Sequence, residues 1–290
     1  MAIYLGKDKI QAAGGIIVGG QYKIDVVDEV DGTQTLNIMD WDYVPAPSFD
    51  RVFANNTPAQ IDAVSKEIAS KGYTSTQVAE IYGWNLGDTI PITLTSGEKI
   101  EMQIIGINHD TLSSDHTSKA GLTLQMKDCL ATRYSMNSTS TNAGGYAASK
   151  MKTETLPTLK ALLPQEWQDV IKLVDKKSAN GGSSKYSETL TLSEDLFLFA
   201  EIEVRGVGIN SQDGDNEGVF YEYWKGKDNT HRIKYYDKDA DGVLETKTAW
   251  ALRSSYATSP YGFLSIGTTG TYSTNYLAND SVGISFGFCI

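Results

Sequence analysis

Between Thr57 and Gly72 the apolar residues Ile61, Val64 and Ile68 recur at helical spacing, and the ends of the stretch are marked as clearly as its face. Thr57 predicts an N-cap, Pro58 suits the first helical position, Gln60 completes a capping box, and Gly72 predicts the stop. A second, shorter helix is expected from Ser75 or Thr76 to Gly83, with Val78, Ile81 and Tyr82 turned inward. The period then changes to two. Ile90, Ile92 and Leu94, then Ile100, Met102 and Ile104, alternate around Ser96–Gly97 and predict a hairpin. Leu122–Met126 reads as another strand, and NSTSTNAGGY at Asn137–Tyr146 as a loop of turn formers. Two helical stretches follow: Ser149 to about Leu163, broken or restarted at Pro157, and Gln165 to Lys177, with Trp167, Val170, Ile171 and Val174 on one face. Leu190–Val204 alternates as strands do around Ser193–Asp195, and the remainder is aromatic, β-branched and glycine-punctuated.

At the other end of the chain, Ile16–Val18, Tyr22–Val27 and Thr35–Met39 read as short strands, with Asp31–Gly32 as a hairpin turn. Trp41–Asp50 carries two prolines and reads as a linker. Residues 1–50 are therefore expected to form a β-rich attachment or oligomerisation segment, and residues 51–290 the main domain. Helices in the first half and strands in the second predict an α+β class.

Charge narrows the choice of partner. A net charge of -11 argues against nucleic acid or an anionic membrane surface as the main partner. No run approaches the ~18 apolar residues of a membrane span, and no basic-then-apolar leader is visible, so a soluble chain without membrane insertion is expected. Cys129 and Cys289 are no disulfide framework and read as two buried thiols. The sequons at Asn55, Asn137 and Asn279 read as chance without an export signal.

Candidate chemistry is sparse. In DKDADG, Asp237, Asp239, Asp241 and Gly242 fit the opening positions of a calcium loop, but Thr248 stands where the closing bidentate Glu belongs. An acidic β-turn is the expectation there, with calcium as the alternative; no other cofactor is implied. His109 and His116 in NHDTLSSDH share no metal-binding helical spacing and read as a solvated loop. Glu201 and Glu203 at period two would share one strand face, as a solvated or paired edge. Tyr221, Tyr223, Trp224, Tyr235 and Tyr236 invite a sugar-stacking reading, but aromatics at strand spacing read first as core. No nucleophile elbow, phosphate loop or dinucleotide fingerprint appears, so no catalytic residue is named and an enzyme is not expected.

The C-terminal stretch has a narrow alphabet. Of the 28 residues Ser254 to Ser281, twenty are Ser, Thr, Tyr, Gly or Asn, and only Asp280 is charged. Tyrosine gives large amphipathic contact at low entropic cost, while Ser, Asn and Gly give adaptable hydrogen bonds. Closing strands and turns of a β-region would have the same composition. The frame around the stretch, WALRS at Trp250–Ser254, Gly270 and VGISFGFCI at Val282–Ile290, resembles the ending of a domain found in phages and prophages of Gram-positive bacteria. GWNLGDTIPITLTSGEKIEMQIIGIN, NAGGYAASKM, LPQEWQDVIK and LSEDLFLFAEIEV match upstream in order, over about residues 60–290. That domain is similar to the C-type-lectin-like receptor-binding proteins that serve as variable targets of diversity-generating retroelements. Two positions depart from the pattern: Ala251 replaces a second tryptophan, and Phe286 a proline.

The resemblance implies a C-type-lectin-like domain in a tail-tip or tail-fibre protein of the virion, binding a glycan or protein receptor on the host cell, beside other tail proteins and as an oligomer, expected to be a trimer. Trp250, Leu252, Arg253, Val282, Ile284 and Phe286 would be scaffold. The ligand-binding positions would be Tyr256, Thr258, Ser259, Tyr261, Phe263, Ser265, Thr268, Tyr272, Thr274, Asn275, Tyr276 and Asn279. A structural tail or baseplate protein without host binding is the alternative.

Overall fold

Two units divide the chain, Met1–Pro47 and Ser48–Ile290. The computed structural model describes residues 48–182, 188–237, 246–273 and 276–290 in full, and the strand backbones of the first unit. In that first unit β1 (Ile3–Leu5) pairs antiparallel with β2 (Asp8–Ile10), while β3 (Ile16–Val18), β4 (Tyr22–Asp28) and β5 (Gln34–Asp40) form a meander. The Asp31–Gly32 turn and most of the Trp41–Asp50 linker lie outside the described residues.

The second unit opens with α1 (Pro58–Lys71). Thr57 Oγ1 accepts from the Gln60 backbone, the Gln60 side chain accepts from the Thr57 backbone, and Gly72 ends the helix at φ 64°. Ile61, Val64 and Ile68 are fully buried, and each buried aliphatic side chain is worth about 1.5–3 kcal/mol against about 1 kcal/mol for a cap. Packing holds the helix; the cap sets its start. In α2 (Ser75–Tyr82), Thr74 and Gln77 repeat the capping box, and Val78 and Tyr82 are buried. Ile81 is exposed instead of inward, because an eight-residue helix turns only one narrow stripe to its neighbours.

The hairpin of β6 (Thr89–Thr93) and β7 (Lys99–Ile107) continues into β8 (Leu122–Met126). A single turn of π-helix at Met151–Thr155 leads directly into α3 (Leu156–Lys160). Of the two expectations for Pro157 the restart holds: the helix changes from π to α at Leu156, and Pro157 lies in the first turn of α3, where proline is tolerated. The next expected helix is cut short. α4 covers only Gln165–Gln168, and Val174 already opens the strand β9 (Val174–Ala179). Beyond Val170 the N–H groups turn to distant partners, Lys172 to the Cys289 carbonyl and, within β9, Asp175 to that of Thr111. Trp167, Val170 and Val174 are buried and Ile171 half-buried, so their spacing reported burial well, but helix only as far as Gln168.

β9 pairs with β10 (Thr189–Glu194), followed by β11 (Leu196–Phe197). The expected strand then gives way to α5 (Glu201–Arg205). The Ala200 N–H is taken by the Glu203 carboxylate and the Glu201 N–H by Ser254 Oγ, which satisfies the first donors of a helix rather than a ladder. β12 (Lys234–Tyr235) pairs with β13 (Lys247–Thr248), and β14 (Trp250–Ser255), β15 (Phe263–Ile266) and β16 (Tyr272–Ser273) form a sheet in that order. The last strand, β17 (Gly287–Cys289), inserts between β11 and β8, completing an antiparallel sheet of order β11-β17-β8-β7-β6. The unit is thus α+β. One apolar cluster lies between this sheet and the helices, and a second is built around Trp224, Trp250, Phe197 and Phe199. Cys129 and Cys289 are both free and buried.

Where α1 crosses β8, Gly121 leaves no room for a side chain: a Cβ there would lie 2.0 Å from the Ser65 carbonyl oxygen. Thr57→Ala is expected to cost about 1 kcal/mol, and Gly121→Ala more than that. Urea midpoints at an unchanged slope would check both.

A candidate recognition face on a buried ionic frame

Strand β14 carries the WALRS motif, and its Arg253 is completely buried. All five guanidinium N–H groups are used. Nε donates to the Lys177 carbonyl at 2.8 Å, Nη1 to the Leu198 carbonyl at 2.8 Å and Glu203 Oε2 at 2.5 Å, and Nη2 to Glu203 Oε1 at 2.8 Å and the Glu217 carbonyl at 2.6 Å. Glu203 is also ion-paired with Lys176 at 2.8 Å, and Lys176 donates to Asp110 at 2.7 Å and to the Tyr221 hydroxyl at 2.8 Å. Tyr221 and Thr123 in turn donate to Asp110. Burial alone would raise the carboxyls of Asp110 and Glu203; the Lys176 ammonium beside Asp110, and Arg253 with Lys176 beside Glu203, overcome it and hold both below the usual range. Burial would likewise lower Lys176 and Arg253, and their carboxylate partners hold both above it.

The sequence reading missed this network. Glu201 and Glu203 do not share a solvated strand edge: both are buried on α5. The NHDTLSSDH segment is only partly solvated. His116 and Asp115 are exposed, but Asp110 is in the network and the His109 ring stacks on Tyr221 at 3.9 Å. Tyr221 and Trp224 are core residues, while Tyr223, Tyr235 and Tyr236 are half-buried.

Above the frame, two loops are held by buried polar side chains that bond to their backbones. Asn142 Nδ2 donates to the carbonyls of Ser259 at 2.9 Å and Gly262 at 2.8 Å, and the Asn142 N–H donates to the Pro260 carbonyl at 2.8 Å. That fixes the turn from β14 to β15. Glu201 Oε2 accepts from the N–H groups of Asn210 and Ser211, both at 2.9 Å, while Oε1 accepts from Asn210 Nδ2 at 2.7 Å and from Arg205. That fixes the loop after α5. Backbone bonds join the two loops: Ala257 N–H to the Asn210 carbonyl, and Gln212 N–H to the Ser255 carbonyl.

On this support Tyr261 is 57% exposed and Tyr272 41%, the Tyr272 ring lying 4.7 Å from the Arg205 guanidinium. Thr258, Thr268 and Asn279 are exposed; Tyr256, Ser259 and Tyr276 are half-buried, Tyr276 against the core. Phe263 and Ser265 are corrections to the expected binding set: both are buried in β15, Phe263 in the main apolar cluster, and neither is available to a partner. Thr274 and Asn275 lie outside the described residues. Trp250, Leu252, Arg253, Val282, Ile284 and Phe286, the expected scaffold, are all buried. Of the acidic turn, Asp237 is exposed and Asp239 and Asp241 lie outside the described residues; among those described, no three His, Cys, Asp or Glu side chains converge as a metal would require.

No described helix is long and apolar enough to cross a membrane. Breaking the frame is expected to be costly: Arg253→Met strands Glu203 without its main partner and should lower stability by about 3–5 kcal/mol in denaturant titrations. Glu217 gives the pH signature. Burial pushes its carboxyl up to about 7, so between the ordinary carboxyl range and that value the folded chain holds a proton the unfolded chain has released. Stability from this group therefore falls as pH rises through that window, and Glu217→Gln is expected to flatten the fall in melting temperature from about pH 5 to about pH 7.

Residues 120–290, from just before β8 to the last residue, match DUF6273, a domain of unknown function, and the chain belongs to that family. No curated protein and no solved structure matches it.

Proposed function

We propose that this DUF6273 protein binds a receptor on the surface of a host cell, as a tail-associated receptor-binding protein of a phage does. The observation that carries the proposal is the pair of exposed tyrosines, Tyr261 on the turn that buried Asn142 holds and Tyr272 on β16, where it pairs with Ile266 of β15. A tyrosine ring left in water on a mobile loop would gain nothing on folding. The same ring on a preorganised loop can bury its area against a partner without first losing loop entropy. Thr258, Thr268 and Asn279 stand exposed in the same stretch as hydrogen-bonding groups, and Tyr256 and Tyr276 add half-buried edges. Two opening helices on an antiparallel sheet, with the variable-looking stretch carried on a second sheet, support a C-type-lectin-like assignment for residues 48–290.

The test is saturable binding of the labelled protein to a panel of Gram-positive cells. A Tyr261→Ala/Tyr272→Ala variant is expected to bind at least about tenfold more weakly while its melting temperature stays close to that of the wild type, since exposed substitutions cost within about 0.5 kcal/mol. If the variant binds as well as the wild type, the face is not the binding site. If the wild type binds no cell, a structural role within a tail or baseplate replaces receptor binding.

A further inference from the structure

Nine large apolar side chains stand exposed among the described residues; four lie on or beside the two bonded loops, and a fifth, Tyr272, lies against Arg205 at the end of α5. Tyr261 and Tyr272 are two; the others are Ile209, 66% exposed, Leu277, 48%, and Val207, 40%. Backbone bonds connect three of them, and the Arg205 that Tyr272 lies against is next to the glycine that precedes Val207. The Asn210 carbonyl, next to Ile209, accepts from Ala257; Tyr256 N–H donates to the Gly262 carbonyl; and the Tyr261 carbonyl accepts from Ala278, next to Leu277. Gly206, in the left-handed region at φ 73°, ends α5 and turns Val207 outward, and Glu201 then holds Asn210 and Ser211. Val207 and Ile209 are thus fixed in the open, not caught in a passing conformation. The segment Gly206–Gln212 contains no charged residue, and between Ser254 and Ser281 only Asp280 is charged, on a chain of net charge -11.

We infer that the recognition face extends beyond the Tyr-rich C-terminal stretch to Val207 and Ile209, and that its partner is a protein at the host surface rather than a glycan. This rests on the receptor-binding reading above. A sugar surface is covered with hydroxyls, and aliphatic side chains laid on it would strip their water and return no hydrogen bond. A protein partner can offer an apolar patch of its own, and aliphatic and tyrosine anchors inside a neutral polar surround are how protein interfaces concentrate their affinity. An anionic bilayer is disfavoured by the charge of the chain.

The experiment uses the full chain and a cell strain to which the wild type binds. Cells are pretreated with protease or with periodate, and Val207→Ser/Ile209→Ser is compared with the wild type. The expected result is binding lost after protease and kept after periodate, and a double variant about tenfold weaker at an unchanged melting temperature. Binding that survives protease and is lost to periodate overturns the protein partner and leaves receptor binding standing. A double variant that binds as the wild type does removes Val207 and Ile209 from the face. Light scattering adds a further outcome: if the double substitution dissociates an oligomer, the patch joins copies of this chain and the inference fails. If melting shows the double variant unfolded, Ile209→Thr alone carries the same comparison. If the wild type binds no strain, receptor binding itself fails, and this inference with it.

Discussion

Two cations without access to water, Lys176 and Arg253, set the terms on which the second unit can fold. Moving either into the interior costs several kcal/mol unless every donor finds an acceptor. Here Arg253 uses all five, and Lys176 donates to Asp110 and Tyr221 and pairs with Glu203, with the charge balanced by the two carboxylates. The acceptors come from the loop after β7, from β9 and α5, and from the carbonyls of Leu198 and Glu217, so the network closes only when these separate segments are in place together. Its effect is to specify one arrangement, because any shift of α5 against β14 would leave a charge unpaired in a dry interior.

The same helix links the frame to the surface. Glu203 faces inward to Arg253, while Glu201, two residues earlier, reaches forward to the loop at Asn210 and Ser211. Asn142 does for the β14–β15 turn what Glu201 does for the loop after α5. Both anchors bond to main-chain atoms of the loops they hold. The exposed side chains are therefore supported from beneath by groups that make no demand on which side chains stand there.

Local signals in the sequence reported local structure well. The capping box at Thr57, the stops at Gly72 and Gly83 and the Ser96–Gly97 hairpin all follow from short-range chemistry, and all are present; the second box, at Thr74, follows the same chemistry. Failure came where long-range contacts decide. Val170 and Val174 have helical spacing, but the carbonyl that receives Lys172 belongs to Cys289, more than a hundred residues away. Glu201 and Glu203 looked like a strand edge because nothing nearby shows that Arg253 and the backbone of Asn210 will neutralise them. At the candidate site, alphabet alone marked Tyr261 and Tyr272, while Phe263 and Ser265 fell on a strand buried on both faces, which composition does not reveal. Val207 and Ile209 were invisible for the opposite reason: a short apolar pair reads as core until the glycine that ends α5 is seen to turn them out.

A face whose charges stand at its margins, Arg205 beside Tyr272 and Asp280 beside Leu277, on a chain of net charge -11 has a kinetic consequence. The long-range field of such a chain slows its approach to acidic surfaces, and that repulsion is screened over roughly 8–10 Å at ordinary ionic strength. Once contact is made, Val207, Ile209 and Tyr261 bury no charge of their own. Salt should then act almost wholly on the rate of encounter and scarcely on the lifetime of the complex. How long the protein stays bound would be set by shape and apolar fit alone, and how often it arrives by the medium around it.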